Sequence, residues 1–331
     1  MRAAVRSIRF KRWGVCAALA LFGAALTCSS CILTMSEPVR VGVFPRPGCE
    51  LIWIAKEKGF FKDEGIDVVV SQYSSWVGNL NAFSEGKLDI SLQTLMSFVV
   101  SGSRGAVIAA TDRSKGDVLV GKQSLKSLVD ISGLQGRLIS AEVGTDGYYM
   151  LASIIQKLGL AQRDINMVPL LTDDAVDSFV RGDIQAVYCY PPYVTKALKR
   201  GNGRVLFSQD FNQLSPCTVI VASNGFLSRR PGDAGRFLRA WFRAVEYYQQ
   251  HRDEAVGIMA AAECVSPAEF SESLRDIKVF DLQESERFMT TDQAAESIYA
   301  IRTFLKKIGF PVGKIDVQKI VNPSFIRKKR L

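Results

Sequence analysis

The amino-acid sequence predicts an α/β protein of two similar lobes with a cleft between them, and two observations carry that prediction. A strand–helix–strand–helix–strand pattern occurs twice in succession, and in both copies the second helix runs into a glycine. From the opening strand to that glycine the distance is 47 residues in one copy (39 to 86) and 45 in the other (137 to 182).

In the first copy, the valine-rich alternating run from Val39 to Phe44 reads as a strand and stops at the turn cluster Pro45 to Gly48. Leu51 to Phe61 spaces its apolar residues as a helix does and closes near Gly65, and Ile66 to Val70 is a second strand. Trp76 to Ser84 is a helix ending near Gly86, followed by a third strand from Leu88 to Leu92. The second copy repeats this order. Arg137 to Val143 is a strand that stops at Gly144, Tyr148 to Leu158 a helix, and Ile165 to Val168 a strand. Asp174 to Val180 is a helix and Ile184 to Tyr188 the closing strand. Such repeats imply mainly parallel sheets, with ligands sitting beyond the carboxyl ends of the strands. After residue 217 a strand from Thr218 to Ala222 precedes helices over 235–250, 252–262 and 293–307. This segment is expected to return to the first lobe, because residues 39–120 offer few helices to cover their own sheet. The organisation expected is a leader (1–31), a first lobe (38–123), a second lobe (124–216), a return segment (217–325) and a basic tail (326–331).

Hydrophobic residues make up 47% of the 331 and charged residues 23%, the balance of an ordinary globular protein with a sizeable core. The net charge of +9 is carried by two ends. Arg2, Arg6, Arg9, Lys11 and Arg12 precede any acid, and Arg327 to Arg330 is a second basic cluster, so the body between them is neutral. A nucleic-acid reader carries its charge on a folded face, and none is implied here. The tail reads as a solvated end.

Val15 to Leu26 is an apolar run of twelve residues behind the first basic cluster. It reads as the core of a secretory signal and is too short to span a bilayer. The run ends in Leu26-Thr27-Cys28-Ser29-Ser30-Cys31, which resembles the lipobox of bacterial lipoproteins. That resemblance implies acylation of Cys31, with Cys28 as the alternative. Everything after Cys31 is expected to be soluble. Cys49, Cys189, Cys217 and Cys264 are scattered without CxxC spacing, so no metal site is expected. They read as buried or free thiols, with a Cys189–Cys217 disulfide left open.

The order of segments resembles a known family. Val39 to Val43, then Pro45 to Gly48, then Ile54 to Val70 are similar to the opening of ABC-importer solute-binding proteins of the nitrate/sulfonate/taurine and thiamine-precursor group. Ala82 to Ile90 and Phe179 to Val187 resemble its two helix–Gly–Asp–strand segments, and Ser127 to Gly136 its entry into the second lobe. Tyr190-Pro191-Pro192-Tyr193 stands where the family has an aromatic-Glu-Pro-Tyr, so Pro191 replaces the glutamate. The resemblance covers residues 38–310. It implies the periplasmic binding protein type II fold, hinge closure on a small ligand, and docking on a permease served by an ATPase. It implies no cofactor, and a monomer. The group also contains pyrimidine-synthesising enzymes with a histidine and a cysteine-rich loop; here His251 is the lone histidine and the cysteines are not clustered.

The strand-end rule places four loops at the cleft. In the first, Arg46 is suited to an anion, and Glu50 to a cation, a donor or merely a helix N-terminus. Gln93 and Thr94 suit neutral hydrogen bonding. The loop Gly144-Thr145-Asp146-Gly147-Tyr148 allows close backbone approach, with Thr145 or Asp146 as helix cap. Its free amides would accept an anion and Asp146 argues against one. Tyr190 and Tyr193 could stack on a flat ring, Tyr188 suits packing as well, and Trp76 reads as packing. Asp173 and Asp174 read as N-caps and His251 as solvated surface. No Walker loop, GxGxxG or HExxH is present, so binding without turnover is expected. The ligand would be sulfonate-like or pyrimidine/thiamine-precursor-like. An extracytoplasmic sensor and a pyrimidine-precursor enzyme on the same fold are the alternatives.

Overall fold

The computed structural model describes residues 37–327 apart from 103–104, 128–129, 131–137, 161–165, 209–213, 311 and 314. The leader, the lipidation candidates Cys28 and Cys31, and the tail beyond Arg327 lie outside the described residues. The first stretch forms β1 (Val39–Val43), α1 (Leu51–Glu57), α2 (Phe60–Asp63), β2 (Val68–Gln72), α3 (Trp76–Ser84), β3 (Ile90–Thr94), α4 (Leu95–Ser101) and β4 (Gly105–Ser114). The second forms β5 (Val118–Lys122), β6 (Leu138–Ser140), α5 (Asp146–Lys157), β7 (Asn166–Val168), α6 (Thr172–Arg181), β8 (Ala186–Cys189), α7 (Tyr193–Lys199) and β9 (Gly203–Ser208). The third forms β10 (Cys217–Ser223), α8 (Asn224–Arg229), α9 (Pro231–Gln250), α10 (Arg252–Ala262), α11 (Pro267–Leu274), β11 (Ile277–Val279), α12 (Leu282–Thr290), α13 (Gln293–Lys307) and α14 (Val317–Ile320).

Two sheets result, in the orders β11-β4-β10-β3-β1-β2 and β7-β6-β8-β5-β9. The repeated units build the parallel parts, β2-β1-β3 and β7-β6-β8. The expectation of mainly parallel sheets needs one correction. β10 and β11 run against their neighbours in the first sheet, and β5 does so in the second. β5 and β10 follow the two passages between the sheets, and a strand that follows such a passage enters its sheet from the opposite end, whereas β11 lies at the edge of the first sheet against β4. The first passage runs through Lys115 to Asp117, so β5 joins the second sheet ahead of the boundary expected at 123–124.

β3 is buried on both faces and β1 nearly so, Arg40 being its exposed residue, so their apolar residues meet helices on either side. On one side α9 lays Phe237, Leu238, Trp241, Val245 and Tyr248 against the sheet at spacings of three and four. Its partner α1 contributes Leu51, Ile52, Ile54 and Ala55 to the same core. The second sheet keeps smaller cores, one under α5 through Leu151, Ile154 and Ile155, the other under α6 through Val176 and Phe179. Cys189 and Cys217 are buried free thiols on strands of different sheets, which answers the disulfide left open. Asp173 and Asp174 stand in the first turn of α6 rather than at its cap, which is Leu171. Among the described residues no helix is long and apolar enough to cross a membrane.

Candidate functional site

The carboxyl ends of β1, β3, β6 and β8 face one another, and their loops close around a cavity of about 20 Å³, room for roughly one water. Phe44 and Arg46 come from the first loop, Thr94 and Ser97 from the β3–α4 junction, and Trp76 from the start of α3. The second sheet supplies Thr145, Asp146, Gly147, Thr172, Tyr188 and Tyr190, and the passage between sheets supplies Asp117.

Local structure explains why these residues arrive there. Thr94 ends β3 and caps α4, its hydroxyl accepting from Ser97 N, so strand and helix meet without a loop. Gly144 takes φ +85°, a left-handed turn, and lets the chain pass within van der Waals reach of Trp76. Thr145 then caps α5, its hydroxyl accepting from Tyr148 N and donating to Glu142 O at 2.6 Å. Gly147 lies against the Tyr188 ring, where a Cβ would sit 2.5 Å from Cδ1. Gly147→Ala is therefore expected to displace the buried Tyr188 and to cost roughly 1–3 kcal/mol. A denaturant midpoint equal to that of the parent chain would refute this.

Hydrogen bonds cross the cleft. Asp146 Oδ1 accepts from Thr94 Oγ1 at 2.5 Å and from Ser97 Oγ at 3.2 Å, tying α5 to the β3–α4 junction. Glu142 Oε1 accepts from Val77 N of α3 at 3.5 Å, while its Oε2 accepts from Thr172 N and Oγ1 at 3.2 and 2.7 Å. One carboxylate thus serves the starts of two helices on opposite sides of the cleft, which is why α6 needs no cap of its own. Phe44 and Tyr190 meet edge to face at 6.3 Å.

Arg46 is buried, and both terminal nitrogens donate to Asp117, at 3.2 and 3.1 Å. Burial alone would lower the Arg46 pKa, but Asp117 and Asp112 outweigh it and hold the guanidinium charged. Asp112 is itself raised by burial, partly countered by Arg46 and by hydrogen bonds from Thr111 and Thr218. Burial pushes the Asp146 carboxyl up to about 6, with Asp117 adding to the rise and Thr94, Arg46 and Ser97 opposing it. Glu142 is also raised by burial, against the hydrogen bonds from Thr172 and Val77.

Of the residues expected at the cleft, Arg46, Thr94, Thr145, Asp146 and Tyr190 line this cavity, and Gly144 shapes its edge. The others lie elsewhere. Tyr148 packs edge-on against Tyr149 and Phe310, because its place on α5 turns it toward the C-terminal segment. Gln93 is enclosed within β3. Glu50 is buried at the start of α1 near Glu263, each carboxyl raised by burial, Glu263 to about 7. Tyr193 lines an outer groove of about 530 Å³ between α7 and the α10–α11 corner. Phe44, Ser97, Asp117, Thr172 and Glu142 escaped sequence reasoning. The strand-end rule covers Phe44, but no pattern marks the other four; Tyr188 reads equally as packing, and Trp76, expected to pack, lines the cavity. His251 is exposed between α9 and α10, away from the cavity.

Comparison with known proteins agrees with this architecture. The model of the NMT1-like family matches residues 34–263. A Bacillus subtilis protein provisionally named for binding aliphatic sulfonates is 24% identical over 303 residues, covering 88% of each chain. A 4-amino-5-hydroxymethyl-2-methylpyrimidine phosphate synthase of Saccharomyces cerevisiae is 21% identical over 218 residues, 61% of this chain and 64% of that one. Among solved structures, the alkanesulfonate-binding protein SsuA of Xanthomonas axonopodis pv. citri, bound to MOPS, superposes with a TM-score of 0.70 at 14% identity. That match covers 88% of this chain and 98% of the other. The fold is that of the periplasmic binding proteins.

Proposed function

This chain belongs to the NMT1-like family, and we propose on that premise that it is the extracytoplasmic solute-binding subunit of an ABC importer. It captures a small organic molecule by closing its two lobes and hands it to a permease powered by an ATPase. A lipid on Cys31, or on Cys28, tethers it to the outer face of the membrane, and it works as a monomer.

The observation that carries this reading is the pair of bridges across the cleft, Asp146 to Thr94 and Ser97, and Glu142 to Val77. Both join the two sheets through side chains at strand ends and helix starts, where a rotation about the passages between sheets would part them. A cavity of about 20 Å³ admits no organic solute, so entry requires that rotation. Support for binding without turnover comes from the cavity wall, whose carboxylates are tied to Arg46 and to the Thr94 and Ser97 hydroxyls. His251 stands away from it.

The test combines thermal melting with small-angle scattering on the purified chain, across a panel of small sulfonates, pyrimidines and amines. A captured solute at hundredfold excess over Kd stabilises the closed form by about 2.7 kcal/mol. It is expected to reduce the radius of gyration and to be recovered unchanged. Conversion of the solute to a product, or stabilisation without compaction, would sink the proposal.

A further inference from the structure

We propose that the solute taken by this cleft carries a positive charge: an organic cation on a flat ring, not the anion bound by sulfonate-binding relatives. This rests on the capture reading above and names the chemical class of that same site.

Three places in the cleft are built to receive an anion, and a carboxylate of the chain itself fills each one. Glu142 occupies the starts of α3 and α6, accepting from Val77 N, Thr172 N and Thr172 Oγ1. Asp117 takes both terminal nitrogens of Arg46 and also the Ser114 hydroxyl at 2.7 Å. Asp146 takes the hydroxyls of Thr94 and Ser97. Asp112 lies beside Arg46 as well, buried and hydrogen-bonded to Thr111 and Thr218. One guanidinium therefore faces Asp112, Asp117 and Asp146, and two of these three, Asp117 and Asp146, line the cavity. An incoming anion finds these receptors filled and meets like charge in a site of low dielectric. A cation meets the opposite.

Asp146 is the group left waiting. It is 4% exposed and lines the cavity, and both of its hydroxyl partners bond Oδ1. Among the described residues no hydrogen bond falls on Oδ2. Phe44, Trp76, Tyr188 and Tyr190 complete the wall with aromatic rings, whose faces attract cations and stack on planar groups. Arg46 Nε and Trp76 Nε1 are buried donors without a partner among the described residues. Both residues line the cavity, so an acceptor on the solute could satisfy such a donor. Burial strains the Asp146 carboxylate, as its raised pKa records, and a cation would take over the role of the proton. Cation binding should therefore strengthen as pH rises through that value. The charged and titratable groups facing Asp146 are Asp117, Arg46, Tyr149, Tyr188 and Cys217.

A matched pair of probes isolates the charge: benzamidine and benzenesulfonate, one ring with opposite signs, titrated into the purified chain by calorimetry. Benzamidine is expected to bind at least about tenfold more tightly at pH 7.5 and to gain affinity between pH 5 and 7. Asp146→Asn keeps the hydrogen bonds and removes the charge, and should erase both effects. Glu142→Gln, which empties the helix starts of charge, should narrow the gap by improving benzenesulfonate binding. Tighter binding of benzenesulfonate to the parent chain overturns the proposal, as does a preference indifferent to both substitutions. Compaction by benzenesulfonate alone, seen in scattering on the same samples, overturns the charge assignment and leaves capture standing. Binding of neither probe at millimolar concentrations also overturns the assignment, while capture itself is judged by the broader panel.

Discussion

Asp117→Asn is expected to destabilise the folded chain by roughly 3–5 kcal/mol, the cost of leaving a buried charge without its partner. Arg46 is 1% exposed and Asp117 4%, so water cannot replace the lost carboxylate. The amide can accept at one atom only, whereas the guanidinium donates at two, 3.2 and 3.1 Å from the present oxygens. Asp112 stands close enough to share the charge and limits the damage. The effect reaches function because Asp117 lies on the passage between the sheets, accepting from Ser114 at the end of β4 and, at its backbone carbonyl, from Tyr188 at 3.4 Å. A urea or guanidinium unfolding curve measures the loss. A change below about 1 kcal/mol would show that Asp112 alone holds Arg46, and would remove Asp117 from the account of the cleft.

The second large effect is on closure against pH. The Asp146 carboxyl rises from its ordinary 3.8 to about 6 when α5 meets the β3–α4 junction, chiefly through burial. On the lobe closure proposed above, the closed cleft holds the proton more tightly than an open one with Asp146 in water. Below the ordinary value both forms are protonated and burial of the carboxyl adds no charge penalty. Above about 6 the closed form must bury a carboxylate, at a cost of about 3 kcal/mol. In the absence of solute, closure weakens as pH rises through this window, and the closed-to-open ratio is expected to fall roughly tenfold between pH 5 and pH 7. Distances between labels on the two lobes, or the radius of gyration, report the ratio directly. The profile should flatten in Asp146→Asn, and a ratio that climbs with pH in the parent chain would contradict the burial of this carboxylate. A bound cation keeps the carboxylate ionised in the closed form and flattens the slope over this window, which separates the two states of the cleft in a single pH series.

Local pattern made the scaffold readable. The alternation in Val39 to Val43, the helical spacing before Gly65 and Gly86, and the parallel recurrence before Gly159 and Gly182 each follow from short-range rules of backbone and burial. β4 and β5 fall outside the repeated units, and nothing in the run Gly105 to Lys122 says that its two halves join different sheets. The same limit applies at the cleft. The loops could be placed from strand ends, so Arg46, Thr94, Thr145, Asp146 and Tyr190 were within reach. What each does was not, because a side chain's charge takes its meaning from its partner. Arg46 reads as an anion receptor until Asp117, 71 positions further on, is found bonded to it. Glu142 reads as part of a strand until the folded chain sets it between α3 and α6. By itself the sequence determined the order of elements, the two-lobed plan and the loops that face the cleft, since these depend on periodicity and on chirality acting over a few residues. Tertiary structure alone decided which charges neutralise one another and which buried carboxyl meets hydroxyls instead of a cation, because electrostatic pairing and desolvation depend on distance in space and not on separation along the chain.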